Sequence, residues 1–367
     1  MSLDQPTPVS TEQPAPDAPD GANGGAPSTW RTGASATRTD GAPLLEVRDL
    51  HVYFNVRGRQ SPAVNGLSYS LVPGRTLAII GESGSGKTVS SRAIMGLLPG
   101  NATVTGSVRL EGKELLNLSE GQFRSHLGPS LAMVFQDPAR SLNPTMRIGA
   151  QITEAVRLHF PMDKKAAYDR AIELLQRVRL PDAPAQFYKY PHQLSGGMRQ
   201  RVMIAIALAC RPKVLFADEA TSSLDVTTQA RIMELLVELQ NELDMAVVLI
   251  SHNLGLAASF SDEVVVIYAG HVVEQGPTRQ LFAHVRMPYT KLLLDAVPRV
   301  ERPAHTILAA AHEASPLAMG ERPTGCAFAP RCPRAQNKCL EETPPLEQDG
   351  STGHRFACWF PHEDGAA

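Results

Sequence analysis

The sequence predicts an α/β fold, a sheet with crossover helices, and three observations carry that expectation. Between Leu44 and about Ala296, short apolar runs such as Leu77-Ala78-Ile79-Ile80, Val214-Leu215-Phe216-Ala217 and Ala246-Val247-Val248-Leu249-Ile250 alternate with helical segments, the pattern of strands joined by helices. A glycine-rich stretch, Gly81 to Thr88, links the first of these runs to a helix over Val89–Leu98. The second run ends in Asp218-Glu219 and the third in Ser251-His252, so polar groups gather at strand ends, where parallel sheets collect ligands.

Taken in order, Met1 to Pro43 is rich in Pro, Ala, Gly, Ser, Thr and Asp with few large apolar residues, and is expected to be a disordered tail because it cannot offset its ordering entropy by burial. The sheet domain is expected over residues 44–297. Within it, residues 137–211 change to longer helical stretches such as Lys164 to Arg179, broken by prolines at 181, 184 and 191, which reads as a helical insertion. Residues 298–367 turn loop-like and hold four of the five cysteines, as a separate small C-terminal extension.

At 367 residues, 43% of them hydrophobic, the chain can hold about two domains and a large core. A net charge of -2 with no basic run gives no footprint for nucleic acid. No apolar run approaches the roughly 18 to 20 residues that span a bilayer, and no basic n-region precedes an apolar h-region. The expected place is the cytoplasm, with membrane contact through partner proteins.

Gly81-x4-Gly86-Lys87-Thr88 stands between a strand and a helix, the context a phosphate-binding loop requires. There the backbone around Gly81, Ser83, Gly84, Ser85 and Gly86 wraps phosphates, Lys87 reaches the outer phosphates and the Thr88 hydroxyl binds Mg²⁺. Asp218 can complete the Mg²⁺ shell, and Glu219 can orient or deprotonate an attacking water. His252 can face the terminal phosphate. A second phosphate-friendly helix entry is Leu194-Ser195-Gly196-Gly197, which opens into an apolar helix running to Cys210.

Together these motifs resemble the ATP-binding subunit of an ABC transporter, in the family's order over residues 44–296. The resemblance implies a P-loop ATPase domain with a RecA-like core, an N-terminal antiparallel β subdomain and a helical insertion. It makes Gly81 to Thr88 the Walker A loop, Gln136 the Q-loop glutamine and a Mg²⁺ ligand, and Leu194 to Gln200 the signature. Asp218 and Glu219 become the Walker B aspartate and catalytic glutamate, Ser223-Leu224-Asp225 the D-loop and His252 the switch histidine. Phe54 takes the place of the aromatic under adenine, although Tyr53 is adjacent and either can be a core aromatic.

Finer features resemble the oligopeptide/dipeptide import group: Asp137-Pro138 with Ser141-Leu142-Asn143-Pro144, Tyr190-Pro191-His192-Gln193, Met198 in the signature where many relatives have Gln, and the tail from Gly325 to Cys358. Importers of nickel, opines, glutathione or sugars share much of this pattern. A soluble ABC ATPase without a permease, and an ATPase gated by a redox-sensing tail, are the competing readings. The resemblance implies ATP and Mg²⁺ as ligands, a second ATPase subunit of a different chain, two transmembrane permeases and an extracytoplasmic solute-binding protein, at the cytoplasmic face of a bacterial membrane. Ser195, Gly196 and Gly197 would complete the partner ATPase's site. The spacing Cys326-x5-Cys332-x6-Cys339-x18-Cys358 leaves zinc, an iron–sulfur cluster and free thiols open, and the resemblance favours a four-iron four-sulfur cluster. Cys210 reads as a buried packing residue.

Overall fold

The computed structural model describes residues 42–296, 324–350 and 353–362. The expected tail therefore lies outside the described residues up to residue 41, and so does the stretch 297–323.

Strands β1 (Leu45–Val56) and β2 (Arg59–Leu71) pair antiparallel. The chain then enters β3 (Thr76–Ile80), the phosphate loop and α1 (Lys87–Ile94), and returns with β4 (Ala102–Leu110) and β5 (Lys113–Glu114) to complete a four-stranded sheet in the order β2-β1-β4-β5. Along β1, Leu50 and Val52 are buried and Phe54 packs on the same core, whereas His51 and Tyr53 face the other way. This is the two-residue alternation of a half-covered strand.

After the short α2 (Glu120–Arg124), β6 (Leu131–Val134) leads into α3 (Pro138–Ser141), α4 (Ile148–His159), α5 (Lys164–Arg177), α6 (Ala183–Phe187), a 3₁₀ turn over Pro191–Gln193 and α7 (Gly196–Ala207). These helices hold together by a stripe of Ile148, Ile152 and Val156 on α4 against Ala171, Leu174 and Leu175 on α5, all buried, which is the spacing of one apolar helix face. Asp163 starts α5 by accepting the Ala166 N–H at 2.7 Å. Cys210, 7% exposed, belongs to the same core.

The main sheet continues with β7 (Val214–Asp218), α8 (Val226–Leu243), β8 (Ala246–Ser251), α9 (Leu254–Phe260), β9 (Glu263–Tyr268) and β10 (His271–Pro277), followed by α10 (Thr278–Ala283) and α11 (Pro288–Asp295). The parallel ladder runs β9-β3-β8-β7-β6. Every residue of β3, β6, β7 and β8 is buried, which is why these strands read as unbroken apolar runs: both faces are covered.

The sequence expects a separate appendage after residue 298, but its described residues join the main body. A 3₁₀ turn at Ala329–Arg331, α12 (Asn337–Glu341), β11 (Glu347–Gln348) and β12 (Arg355–Phe356) follow Thr324, and β12 pairs with β10 through Glu274 and Gln275. The sheet order becomes β11-β12-β10-β9-β3-β8-β7-β6. Phe328 is 1% exposed and lies 5.3 Å, ring to ring, from both Tyr268 and Tyr289. Burying a phenyl ring among two others supplies the anchoring that a loop-rich segment lacks on its own.

Candidate functional site

The carboxyl ends of β3, β6, β7 and β8 point to one region, and the polar residues that follow them meet there. The loop after β3 delivers Lys87 and Thr88 at the start of α1. That helix begins at Gly86 with no side-chain cap, unlike α5, α7, α8 and α9, which are capped by Asp163, Ser195, Asp225 and Asn253. Its first N–H groups and the positive end of its dipole are therefore left for an anion.

The Lys87 ammonium donates to the carbonyls of Gly81 at 2.8 Å and Glu82 at 2.7 Å. Burial lowers its pKa, against the raising pull of Glu219, Asp218 and Glu82. The Thr88 hydroxyl donates to Asp218 Oδ1 at 2.8 Å. Asp218 is 1% exposed, and burial raises its pKa despite the Thr88 hydrogen bond. Each charge is thus disfavoured by desolvation. A phosphate beside Lys87 and a divalent cation beside Thr88 and Asp218 would relieve both, so the residues present fit Mg²⁺ and a nucleoside polyphosphate.

Glu219 follows β7 with φ 45° and donates its N–H to the Ile250 carbonyl at 3.0 Å. That left-handed backbone is unusual for a residue with a side chain. Its carboxylate accepts from Gln136 Nε2 at 2.7 Å, and His252 Nδ1 lies 3.3 Å from its other oxygen. Gln136, Glu219 and His252 come from after β6, β7 and β8, so one carboxylate ties three strand ends together.

A cleft of about 650 Å³ is lined by Ser83, Gly84, Gly86, Lys87, Thr88, Gln136 and Glu219, a volume suited to a nucleotide. Asp218 lies buried beneath Thr88. Gly81 and Ser85, also in the loop, do not line this cleft: a Cβ at Gly81 would come 2.2 Å from the Ile267 carbonyl, and the Ser85 hydroxyl is buried without a hydrogen-bond partner. Ser195, Gly196 and Gly197 do not line this cleft. They stand at the start of α7, where a Cβ at Gly197 would come 2.9 Å from Thr228.

Phe54 does not line the cleft. Strand alternation turns it onto the core with Leu50 and Val52 and brings His51 and Tyr53 to the cleft, their rings stacked at 6.0 Å and 4°. Of the two adjacent aromatics, Tyr53 lines the cleft and Phe54, the residue expected under adenine, does not. The apolar alternation of Leu50, Val52 and Phe54 was the available signal. Residues of the C-terminal segment, including Ala327, Phe328, Thr343 and Leu346, also wall the cleft. Nothing local in the sequence pointed to them.

Cys326, Cys332, Cys339 and Cys358 line one small apolar pocket with Met287, Phe328 and Trp359, and all are free thiols. Burial pushes Cys326 and Cys332 up, and Cys358 to about 11. Among the described residues no group of three or more His, Cys, Asp or Glu side chains is placed to hold a metal ion. The expected four-iron four-sulfur cluster, and zinc as its alternative, are therefore not supported by this geometry.

The family described as "ABC transporter" matches residues 64–222, and that described as "Oligopeptide/dipeptide transporter, C-terminal region" matches residues 273–339. The oligopeptide transport ATP-binding protein OppD of Escherichia coli (strain K12) is 45% identical over 321 residues, covering 88% of this chain and 94% of the relative. The dipeptide transport ATP-binding protein DppD of Haemophilus influenzae is 46% identical over 320 residues, covering 87% and 96%. Among solved structures, the ATP-binding cassette MJ0796, a dimer in a post-hydrolysis state with ADP and Pi, superposes with a TM-score of 0.58 at 26% identity, covering 64% of this chain and 99% of that one. On fold, motif geometry and likeness to such a relative over 88% of its length, the chain belongs to the ABC transporter ATP-binding proteins, in their oligopeptide and dipeptide transport group.

Proposed function

We propose that this chain is the ATP-hydrolysing subunit that powers peptide import through partner permeases. The observation that carries the reading is the meeting of Lys87, Thr88, Gln136 and Glu219 on one cleft, with Asp218 accepting from Thr88 and His252 3.3 Å from Glu219. The names of the peptide-transport relatives support the solute class. No helix among the described residues is long and apolar enough to cross a membrane, and work on a solute then requires membrane partners. Two permeases, an extracytoplasmic binding protein and peripheral attachment at the cytoplasmic face complete the proposal.

The residues divide the work. Gly81, Ser83, Gly84, Ser85 and Gly86 shape the loop that offers backbone N–H groups to phosphates, with Lys87 as the compensating cation. Thr88 and Asp218, assisted by Gln136, hold Mg²⁺, which when bound neutralises charge on the outer phosphates. Glu219 orients the attacking water and accepts its proton, and His252 fixes the carboxylate. Tyr53 stacks on the base. Ser195, Gly196 and Gly197, absent from this chain's own cleft, complete the site of a second ATPase subunit, a reading supported by the dimeric state of the solved relative.

The test is Glu219→Gln, which keeps the Gln136 contact but removes the base. Hydrolysis in the assembled transporter is expected to fall about 10²- to 10⁴-fold with ATP binding retained. Near-normal turnover would remove Glu219 from the role. Whether the four-cysteine pocket takes up a metal is read from the iron and zinc content of anaerobically purified protein.

A further inference from the structure

The C-terminal segment reaches the phosphate loop through one side chain. Arg331, on the 3₁₀ turn at Ala329–Arg331, is 7% exposed. Its Nη1 donates to Glu82 Oε2 at 2.7 Å and its Nη2 to Glu82 Oε1 at 2.9 Å. The guanidinium also lies over the rings of Tyr268 and Phe328, at 5.7 and 5.8 Å, and donates to the Tyr268 hydroxyl at 3.3 Å. Its pKa is raised, chiefly by the Glu82 hydrogen bonds.

Glu82 is the residue after Gly81 in the phosphate loop, and three of its groups are held. The carboxylate meets Arg331, the N–H donates to the Tyr289 hydroxyl at 2.8 Å, and the carbonyl accepts from Lys87 at 2.7 Å. A carboxylate at the mouth of a phosphate site repels a polyanion unless a fixed cation cancels it. A bidentate guanidinium does so and also fixes orientation, which a lysine does less well. Holding the segment in place does not require this pair, because Phe328 and the β10–β12 ladder already anchor it. Burying a guanidinium carries a desolvation cost, and its return is at the loop.

We propose that Arg331 is a positioning residue for ATP binding: through its bidentate contact with Glu82 it neutralises and orients the phosphate loop, so nucleotide affinity depends on the C-terminal segment. This rests on the nucleotide reading of the cleft.

The experiment uses the full-length chain, alone for equilibrium titration with a fluorescent ATP analogue and with its permeases for KM and kcat. Arg331→Met is expected to raise Kd and KM for ATP about tenfold while kcat stays within about threefold, the split of lost ground-state binding. Arg331→Lys should lie between Arg331→Met and wild type. Removing the orphaned carboxylate as well, in Arg331→Met/Glu82→Gln, should bring Kd back to within about threefold of wild type, as coupled neighbours do in a double-mutant cycle. An Arg331→Met variant within twofold of wild-type Kd, or a double variant no better than the single one, overturns the proposal. Wild-type binding that Lys87→Ala abolishes keeps the cleft as the nucleotide site whatever Arg331 does. A wild-type chain that binds no nucleotide removes the nucleotide reading and this proposal together.

Discussion

Gly86→Ala is the sharpest test of how the phosphate loop is built. Gly86 sits at φ 103° and ψ -4°, and a Cβ there would stand 2.5 Å from the Ala63 carbonyl oxygen on β2. An L-residue in left-handed backbone costs about 1–2 kcal/mol. Forcing the rigid carbonyl back to about 3 Å adds about 1–3 kcal/mol, as overpacking does. Gly84 is the control: its φ is 80°, yet nothing lies within 4 Å of its would-be Cβ, so Gly84→Ala carries only the backbone term. At about 2–4 °C per kcal/mol for a large domain, the summed cost of about 2–5 kcal/mol should lower the melting temperature of Gly86→Ala by about 4–20 °C, and the backbone cost alone should lower that of Gly84→Ala by about 2–8 °C. Gly86 caps the start of α1, beside Lys87, so displacing it should also weaken ATP binding about 30-fold or more. Thermal denaturation and ATP titration of both variants read this directly. Melting temperatures within a degree of each other would refute the steric argument.

Two further outcomes follow from side-chain placement. Tyr53→Ala is expected to weaken ATP binding about tenfold with little change in melting, because the ring lines the cleft; Phe54→Ala should instead cost about 2 kcal/mol of stability and leave affinity within about threefold. The reverse pattern, by titration and melting, would return the base-stacking role to Phe54. The Cys358 thiol should react slowly with an uncharged disulfide reagent at pH 8, its rate climbing about tenfold per pH unit without levelling at the usual thiol value of 9.0, since burial raises it to about 11. Between those values the native chain keeps a proton that the unfolded chain has lost. Stability therefore falls as pH rises from 9.0 through about 11, and a flat melting profile there would contradict the burial of Cys358.

The catalytic motifs were legible because each is local. Gly81 to Thr88, Asp218-Glu219 and Ser251-His252 all stand directly after apolar runs, and a parallel sheet brings such ends together whatever the loops between them do. Tyr53 and Phe54 were not resolved by motif order, because neighbouring strand residues face opposite ways and β1 carries register shifts between Val47 and Tyr53. The Arg331–Glu82 contact spans 249 residues, and no composition or spacing rule reports so distant a pair. The four thiols were legible as a group in number and spacing, whereas their burial depends on Met287, Phe328 and Trp359, drawn from different parts of the chain.

The pairing of β12 on β10 has a consequence for solubility. Without it, the outer backbone groups of β10 around Glu274 and Gln275 would be an open edge, a ready template for a strand from another molecule. Two-residue strands close that edge: β12 covers β10, and β11 beyond it is too short to recruit a neighbour. A chain cut before Glu347 would keep its catalytic motifs and lose this guard, so its first failure would be aggregation through the sheet.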